Sequence, residues 1–241
     1  MYMSIQIKHN DAPNLKKPKF TVDTQLHEKL NEYEITRLMN KHNFTLFLGK
    51  AGSGKSTLLI SMLNTPSLFK KVYHKIILFC PANSRASIKN DFWSVLPDEQ
   101  IYDELTEETL QMAYDEAQEN ALGGFKTLIV LDDVQKALKG ECEKLLLSMV
   151  NNRRHNFLSI WLCCQTYNSI PRQVRQGLTD LFIFKVNSTE IRNILDEAVE
   201  IEPDIFRQIL KIAYKNPHDF LYINHATQRI FNNFDEIIID S

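Results

Sequence analysis

A glycine-rich stretch that joins an apolar run to an apolar helical pattern has the residue types of a phosphate-binding loop. Its residues are Gly49, Lys50, Ala51, Gly52, Ser53, Gly54, Lys55, Ser56 and Thr57. The three glycines let the backbone curl around phosphate oxygens, so that consecutive N–H groups point inward at the helix N-terminus. Lys55 would then reach the β- and γ-phosphates, and the hydroxyl of Ser56 is placed to ligate Mg²⁺. The stretch therefore predicts a binding site for a nucleoside triphosphate, taken to be ATP, together with Mg²⁺.

Two carboxylates and one amide at predicted strand ends supply the groups that triphosphate hydrolysis needs. Asp132 and Asp133 end the apolar run that starts at residue 125, and Gln165 ends the next run, Phe157–Cys164. Asp132 fits the acidic residue that holds Mg²⁺, directly or through water. Asp133 can orient and polarise the attacking water. The neutral amide of Gln165 can bridge this water and the γ-phosphate, because it both donates and accepts hydrogen bonds.

Catalysis also needs a cationic group for the charge that develops on the γ-phosphate. Arg153 and Arg154 precede the strand that leads to Gln165, so they lie at its opposite end, too far to serve their own nucleotide. They are better placed to serve a neighbouring subunit, which favours a ring or filament. Arg172 and Arg175 follow Gln165 closely and are the competing candidates.

Strand-length apolar runs alternate with helical patterns along the chain, which predicts an α/β fold with a mostly parallel sheet. The predicted strands cover 44–48, 75–80, 125–131, 157–164 and 181–186, and the helices cover 55–63, 84–93, 106–122, 134–150, 190–199 and 203–214. Thr106 is a candidate N-cap, but Thr109 stands where a capping box has Glu or Gln, so no box is expected.

The two ends of the chain are expected to lie outside this pattern. Residues 1–43 predict a polar arm followed by an amphipathic helix, and residues 44–241 predict the nucleotide-binding domain. Within that domain, the apolar runs near 220–223, 229–231 and 237–239 indicate a small hairpin or additional edge strands after the last helices.

Composition excludes several functional classes. The 241 residues are 44% hydrophobic and 24% charged, as in ordinary globular proteins, and the net charge of −2 argues against a uniformly basic nucleic-acid coat. Any DNA contact would therefore be local. The four cysteines form no Cys-x-x-Cys pair and are interpreted as reduced core residues rather than a zinc site. No apolar run is long enough for a membrane-spanning helix, and the first residues lack a signal pattern, so neither membrane insertion nor secretion is expected.

Three stretches together resemble the poxvirus-type genome-packaging ATPases of large DNA viruses, within the FtsK–HerA superfamily of P-loop NTPases. They are Thr45–Ser56, Leu128–Val134 and Leu162–Pro171, in which Gln-Thr-Tyr and a later proline follow an apolar strand. The last stretch is the most specific, and the resemblance runs from about residue 44 to residue 186. It implies a RecA-like fold in which the Gln165 strand lies between the loop strand and the Asp132 strand.

The resemblance also implies residue roles and partners. Lys55 and Ser56 become loop residues, Asp132 the metal carboxylate, Asp133 the catalytic acid and Gln165 the sensor, with Arg154 as the first choice for an arginine that acts in trans. Many superfamily members carry Glu where Asp133 stands. The implied assembly is a homo-oligomeric ring that translocates double-stranded DNA into a preformed capsid, with capsid or portal-like vertex proteins as partners. Such a protein acts in the host cytoplasm or in the virion.

Other nucleotide-binding classes fit the sequence less well. The chain has no Asn-Lys-x-Asp guanine motif and no Leu-Ser-Gly-Gly-Gln transporter signature, and Asp132 to Gln135 lacks the glycine of a GTPase switch. A small-molecule kinase would not need paired strand-end carboxylates together with Gln165. Two alternatives to a packaging motor stay open, namely a nucleotide-switched assembly or scaffold protein and a cellular-type DNA pump or helicase.

Overall fold

The computed structural model of the protein describes residues 5–8, 39, 41–86 and 92–239. The strands in this part are β1 Ile5–Lys8, β2 Phe44–Leu48, β3 Lys75–Phe79, β4 Ile101–Tyr102, β5 Thr127–Asp132, β6 Leu158–Cys164, β7 Asp180–Phe184, β8 Phe220–Asn224, β9 Arg229–Asn232 and β10 Asp235–Ile239. The helices are α1 Lys55–Asn64, α2 Ala82–Ala86, α3 Glu107–Leu122, α4 Glu141–Asn152, α5 Arg172–Arg175, α6 Ser188–Ala198 and α7 Pro203–Ala213. Short 3₁₀ turns cover Phe92–Val95, Asp98–Gln100, Gln135–Ala137 and Tyr167–Ser169.

All the described strands join one sheet in the order β1-β10-β9-β8-β7-β2-β6-β5-β3-β4. The strands from β4 to β7 in this order pair in parallel, and those from β7 to β1 pair antiparallel. The predicted mostly parallel sheet with flanking helices is therefore confirmed. The strand that leads to Gln165, β6, lies between the loop strand β2 and the Asp132 strand β5, as the family resemblance implies.

The central strands are buried on both faces, which explains their continuous apolar sequences. Every residue of β2, β5, β6 and β7 is buried. Successive side chains enter different cores, so that Ile160 and Leu162 of β6 pack on one side of the sheet and Trp161 and Cys163 pack on the other. The acidic and amide side chains of the predicted site consequently lie at the ends of these strands.

Both chain ends extend the sheet. The apolar runs near the C-terminus form β8, β9 and β10, which continue the sheet beyond β7 by antiparallel pairing. β1 pairs with β10, which brings residues 5–8 of the expected polar arm into the sheet. The amphipathic helix predicted within residues 1–43 falls almost entirely outside the described residues. In the part of the chain that the structure describes, no helix combines the length and apolarity needed to cross a membrane.

Three local predictions differ from the structure. α3 does begin with a capping box, because Thr109 Oγ1 accepts the Thr106 N–H at 3.0 Å and Thr106 Oγ1 accepts the Thr109 N–H at 3.1 Å. A threonine hydroxyl thus does what Glu or Gln usually does. The helix expected at 134–150 is interrupted by a 3₁₀ turn and by Gly140 at φ 75°, and α4 starts only at Glu141. The helix expected from 84 instead starts at Ala82 as α2.

A buried acidic group lies at the amino end of β7, at the edge of the sheet away from the phosphate-binding loop. The carboxylate of Asp180 accepts hydrogen bonds from Thr179 Oγ1 at 2.6 Å, Tyr222 Oη at 2.8 Å and Asn224 Nδ2 at 3.3 Å. Removal from solvent dominates over these donors and raises the pKa of Asp180 to about 6.

Protonation of Asp180 is expected to stabilise the fold. Its folded pKa lies above the ordinary value of 3.8, so its contribution to the free energy of unfolding is complete below pH 4 and is lost as the pH rises through 6. Relative to Asp180→Asn, the wild type should therefore lose on the order of 3 kcal/mol between pH 4 and pH 7. Urea unfolding of both proteins across this range measures the difference. A difference that stays constant with pH would contradict the assignment.

Candidate functional site

The three segments singled out by the sequence line one cavity at the carboxyl ends of the parallel strands. The cavity has a volume of about 170 Å³ and is lined by Ala51, Gly52, Lys55, Ser56, Ser84, Asp132, Asp133, Gln135, Cys163, Cys164 and Gln165. The convergence follows from strand register, because Leu48 lies opposite Cys164 and Asp132 lies opposite Cys163. The loop after β2, the acids after β5 and the amide after β6 thus emerge at one level.

Glycine is required in the loop for two different reasons. Gly52 and Gly54 have φ angles of 74° and 106°, which side-chain-bearing residues rarely adopt. Gly49 is required for space, since a Cβ there would lie 2.5 Å from Ser53 Oγ and 2.7 Å from Phe184 Cβ. The Gly49 N–H donates to the Cys164 carbonyl at 3.1 Å, which ties the loop to β6.

Two polar side chains of the loop, those of Lys55 and Ser53, are directed toward its interior. Lys55 Nζ donates to the carbonyls of Gly49 at 2.8 Å and Lys50 at 3.0 Å, so the ammonium group lies across the mouth of the loop. Ser53 Oγ is buried and has no hydrogen-bond partner among the described residues. The side chains of Lys50 and Thr57 are exposed. A loop at a helix N-terminus that directs a lysine ammonium group inward is suited to binding a chain of phosphates.

Ser56 and Asp132 form the part of the site that suits a divalent cation. Ser56 Oγ donates to Asp132 Oδ2 at 2.8 Å, and Asp132 is only 6% exposed. Burial raises the pKa of Asp132, while the Ser56 hydrogen bond and the Lys55 charge oppose the rise. No group of three or more His, Cys, Asp or Glu residues in the described part of the chain could hold a metal ion by itself. One carboxylate and one hydroxyl fit Mg²⁺, which keeps waters and shares phosphate oxygens.

The second acid is held by a residue that the sequence analysis missed. Asp133 is exposed, has a left-handed backbone with φ 59°, and accepts a hydrogen bond from Ser84 Oγ at 2.7 Å. Ser84 lies in α2, directly after β3, and β3 is the neighbour of β5. The sequence signal for Ser84 is a small polar residue shortly after an apolar strand. Such residues are too common to indicate a functional site by themselves.

Gln165 is positioned by a second missed residue. Its side chain is exposed beside the cavity, and its backbone N–H donates to Gln135 Oε1 at 2.8 Å. Gln135 begins the 3₁₀ turn that replaces the expected helix after Asp133. This turn therefore connects the segment of the two acids to the segment of the amide.

The four candidate arginines have different environments. Arg175 is 8% exposed, forms bonds of 2.9 and 2.7 Å to the Glu197 carboxylate, and lies 4.7 Å from the Tyr167 ring centre. Arg153 is equally buried and donates to the carbonyls of His42 and Val150. Both are engaged within the fold, whereas Arg154 and Arg172 are exposed.

Comparison with known proteins places the chain in a family. Residues 30–228 match the family model described as Poxvirus A32 protein. The chain belongs to the poxvirus A32 protein family. Among its relatives, the uncharacterized protein 075L of Invertebrate iridescent virus 6 is 29% identical over 188 residues, which cover 75% of this chain and 70% of that protein. The family resemblance seen in the sequence is therefore confirmed.

Further comparisons agree with membership of the A32 family. The DNA packaging protein OPG160 of variola virus is 30% identical over 154 residues, 61% of this chain, and the match spans about half of that protein, 54%. The genome packaging NTPase B204 of Sulfolobus turreted icosahedral virus 2, solved in complex with ATP-γS, has a TM-score of 0.57 at 16% identity. The alignment covers 84% of this chain and 98% of that chain. At this identity, the likeness establishes a shared fold.

Proposed function

We propose that this protein hydrolyses ATP to move double-stranded DNA into a preformed viral capsid. The observation that carries the proposal is the convergence of a glycine loop, two acids and an amide on one cavity. Membership of the A32 family and the names of the variola and Sulfolobus virus relatives support packaging as the purpose of the hydrolysis. The protein would act in the host cytoplasm or in the virion.

Binding is assigned to the loop and to the Ser56–Asp132 pair. The loop N–H groups and the Lys55 ammonium bind the phosphate oxygens, for which Lys55 exchanges its contacts with the Gly49 and Lys50 carbonyls. Ser56 and Asp132 would hold Mg²⁺, which when bound neutralises charge on the phosphates. Burial of Asp132 strengthens its attraction for a cation, because little water competes for the carboxylate.

Hydrolysis is assigned to Asp133 and Gln165. The Asp133 carboxylate accepts a proton from the attacking water, and the Ser84 hydroxyl fixes the orientation of this carboxylate. The Gln165 amide donates toward the γ-phosphate and accepts from the same water. Gln135 is a positioning residue, because it holds the backbone from which Gln165 extends.

The cation that completes the site is assigned to Arg154 of a neighbouring subunit. Arg154 precedes β6, which has 7 residues, so it lies roughly 20 Å from the Gln165 end of the strand. It cannot reach its own cavity, and its exposed side chain is available to another copy. A homo-oligomeric ring brings each Arg154 to the next cavity with one repeated interface.

Two substitutions should separate binding from chemistry. Lys55→Ala is expected to abolish tight ATP binding because the loop loses its cation. Asp133→Asn should bind ATP nearly as well as the wild type but hydrolyse it at least about 100-fold more slowly, because an amide cannot accept the proton of the water. Calorimetry and phosphate release measure the two properties. Turnover by Asp133→Asn at the parental rate would refute its assignment as the base.

Duplex DNA should distinguish a motor from a nucleotide switch. The ATPase rate is expected to rise severalfold when double-stranded DNA is added, since a motor couples turnover to its track, and solution mass should show a multimer with nucleotide bound. A rate that does not respond to DNA would favour the assembly or scaffold alternative. Displacement of a strand from a forked substrate would favour a helicase.

Mixing of two inactive subunits tests the arginine in trans. Arg154→Ala alone should lose turnover, and a mixture with Lys55→Ala should regain part of it, because mixed rings contain interfaces with an intact loop facing an intact arginine. Arg207→Ala is a matched control, since Arg207 is exposed and pairs with Asp204 on α7, so this variant should hydrolyse ATP normally. No recovery in demonstrated mixed rings would exclude Arg154.

A further inference from the structure

A buried glutamate outside the cavity lies behind the segment that follows Gln165. Glu190 is only 8% exposed, although it lies in the first turn of α6. Its Oε2 accepts the backbone N–H of Tyr167 at 2.6 Å, and Tyr167 is two residues beyond Gln165. The two partners are 23 positions apart in the sequence, so the contact is tertiary and not part of the helix. Glu190 therefore connects α6 to the chain that follows β6.

Packing alone does not require a glutamate at this position. Glu190, Ile194 and Ala198 are the buried residues of α6 and follow one another at intervals of four, so they form one stripe along the helix. Ile194 and Ala198 belong to the apolar core on one side of the sheet. A carboxylate is costly to bury, and an apolar side chain of similar length would fill the same space. What the glutamate adds is the acceptor of one specific hydrogen bond.

The start of α6 stabilises this buried carboxylate. Asn187 caps the helix, because its Oδ1 accepts the Glu190 N–H at 2.9 Å. A glutamate at this third helical position commonly turns back to the N–H of the N-cap residue. Here the carboxylate instead accepts the N–H of Tyr167, and the N-terminus of α6 favours its negative charge. The acid of one element thus serves the backbone of another.

A second contact from α6 holds the carbonyl groups of the same segment. Arg175 Nη1 donates to the carbonyls of Tyr167 at 3.3 Å and Ile170 at 2.7 Å. The same guanidinium group is paired with Glu197 of α6. Glu197 lies about two helical turns after Glu190, so both acids face the same side of the helix. The turn after β6 is therefore held through its N–H by one acid and through its carbonyls by the other.

The backbone around Gln165 is restrained in both directions along the chain. Gln135 Oε1 accepts the N–H of Gln165, and Glu190 Oε2 accepts the N–H two residues later. Tyr167 is 1% exposed, so its N–H would have no ready replacement from solvent if the carboxylate were removed. The turn would then shift toward another acceptor. A displacement of about 1 Å at a group that orients a reactant can lower a rate by about 100-fold.

We propose that Glu190 is a positioning residue for Gln165. The proposal rests on the role of Gln165 in the proposed ATPase function. Through the Tyr167 N–H, Glu190 fixes the turn after β6, so that the Gln165 amide is directed at the attacking water. The phosphate-binding loop takes no part in the contacts of Glu190. Its effect is therefore on the chemical step and not on ATP binding.

Substitution by an apolar residue and by glutamine tests the need for an acceptor. Glu190→Met keeps the length of the side chain but removes the acceptor, so kcat should fall roughly tenfold while the KM for ATP changes less than about twofold. Glu190→Gln keeps an oxygen that accepts the Tyr167 N–H and should retain kcat within about threefold. Phosphate release measures both quantities. A kcat of Glu190→Met equal to that of the wild type would overturn the proposal.

A double-mutant cycle with Gln165→Ala shows whether Glu190 acts through Gln165. Glu190→Met should slow the Gln165→Ala protein by less than about twofold, because no amide remains to be positioned. Phosphate release in single turnovers resolves the slow rates of these variants. If Glu190→Met causes the same loss with and without the Gln165 amide, Glu190 acts independently of Gln165 and the proposal fails.

Ile194→Val separates positioning from general damage to α6. Ile194 lies one turn after Glu190 on the same buried stripe, so the loss of one carbon should lower the melting temperature without changing kcat. If kcat falls with the melting temperature in both Glu190→Met and Ile194→Val, Glu190 has only a structural role and the proposal is overturned. A wild type without ATPase activity, or Gln165→Ala with the parental rate, would instead refute the proposed function on which the proposal rests.

Discussion

The parallel pairing of β2, β6 and β5 is the constraint on which the rest of the site depends. The pairing aligns Leu48 with Cys164 and Cys163 with Asp132, so three separate chain segments end at the same height. The hydrogen bond from Gly49 N to the Cys164 carbonyl continues this ladder into the loop. A shift of one residue in either pairing would move the acids by about 3.3 Å along the strand and exchange the faces of the sheet. The apolar residues that fill both faces hold the register.

Burial of these strands divides the molecule into an interior that excludes charge and an edge that concentrates it. Asp132 lies at the boundary, where burial raises its pKa and Ser56 and Lys55 compensate. Such a site favours a negatively charged ligand that binds together with a cation. The opposite edge of the sheet has a structural role, because Asp180 and Arg153 there are engaged by their neighbours within the fold. Arg154, the exposed neighbour of Arg153, also lies at this second edge. The catalytic role proposed for Arg154 therefore requires another subunit.

The antiparallel half of the sheet positions the turn 214–219 against the phosphate-binding loop. β8 pairs with β7 and carries the preceding turn, 214–219, back against the loop, where His218 contacts the Ser53 carbonyl. The loop is thus supported from β6 on one side and from this turn on the other. Tight placement of the loop is reflected at Gly49, where even a methyl group would overlap its neighbours. This arrangement explains how a segment after β7, far along the chain from the acids, supports the phosphate-binding loop.

The sequence by itself determined the glycine loop, the strand-end acids and amide, the mostly parallel sheet and the family, because each depends on residue types and patterns within short segments of the chain. Tertiary structure alone decided which residues support them. Ser84 reaches Asp133, and Gln135 reaches Gln165, only because β3, β5 and β6 pair. It also decided that Arg175 is bound to Glu197, and that a threonine completes the cap of α3. A hydrogen bond between distant segments depends on where the backbone places two groups within about 3 Å, and local sequence patterns do not encode that distance.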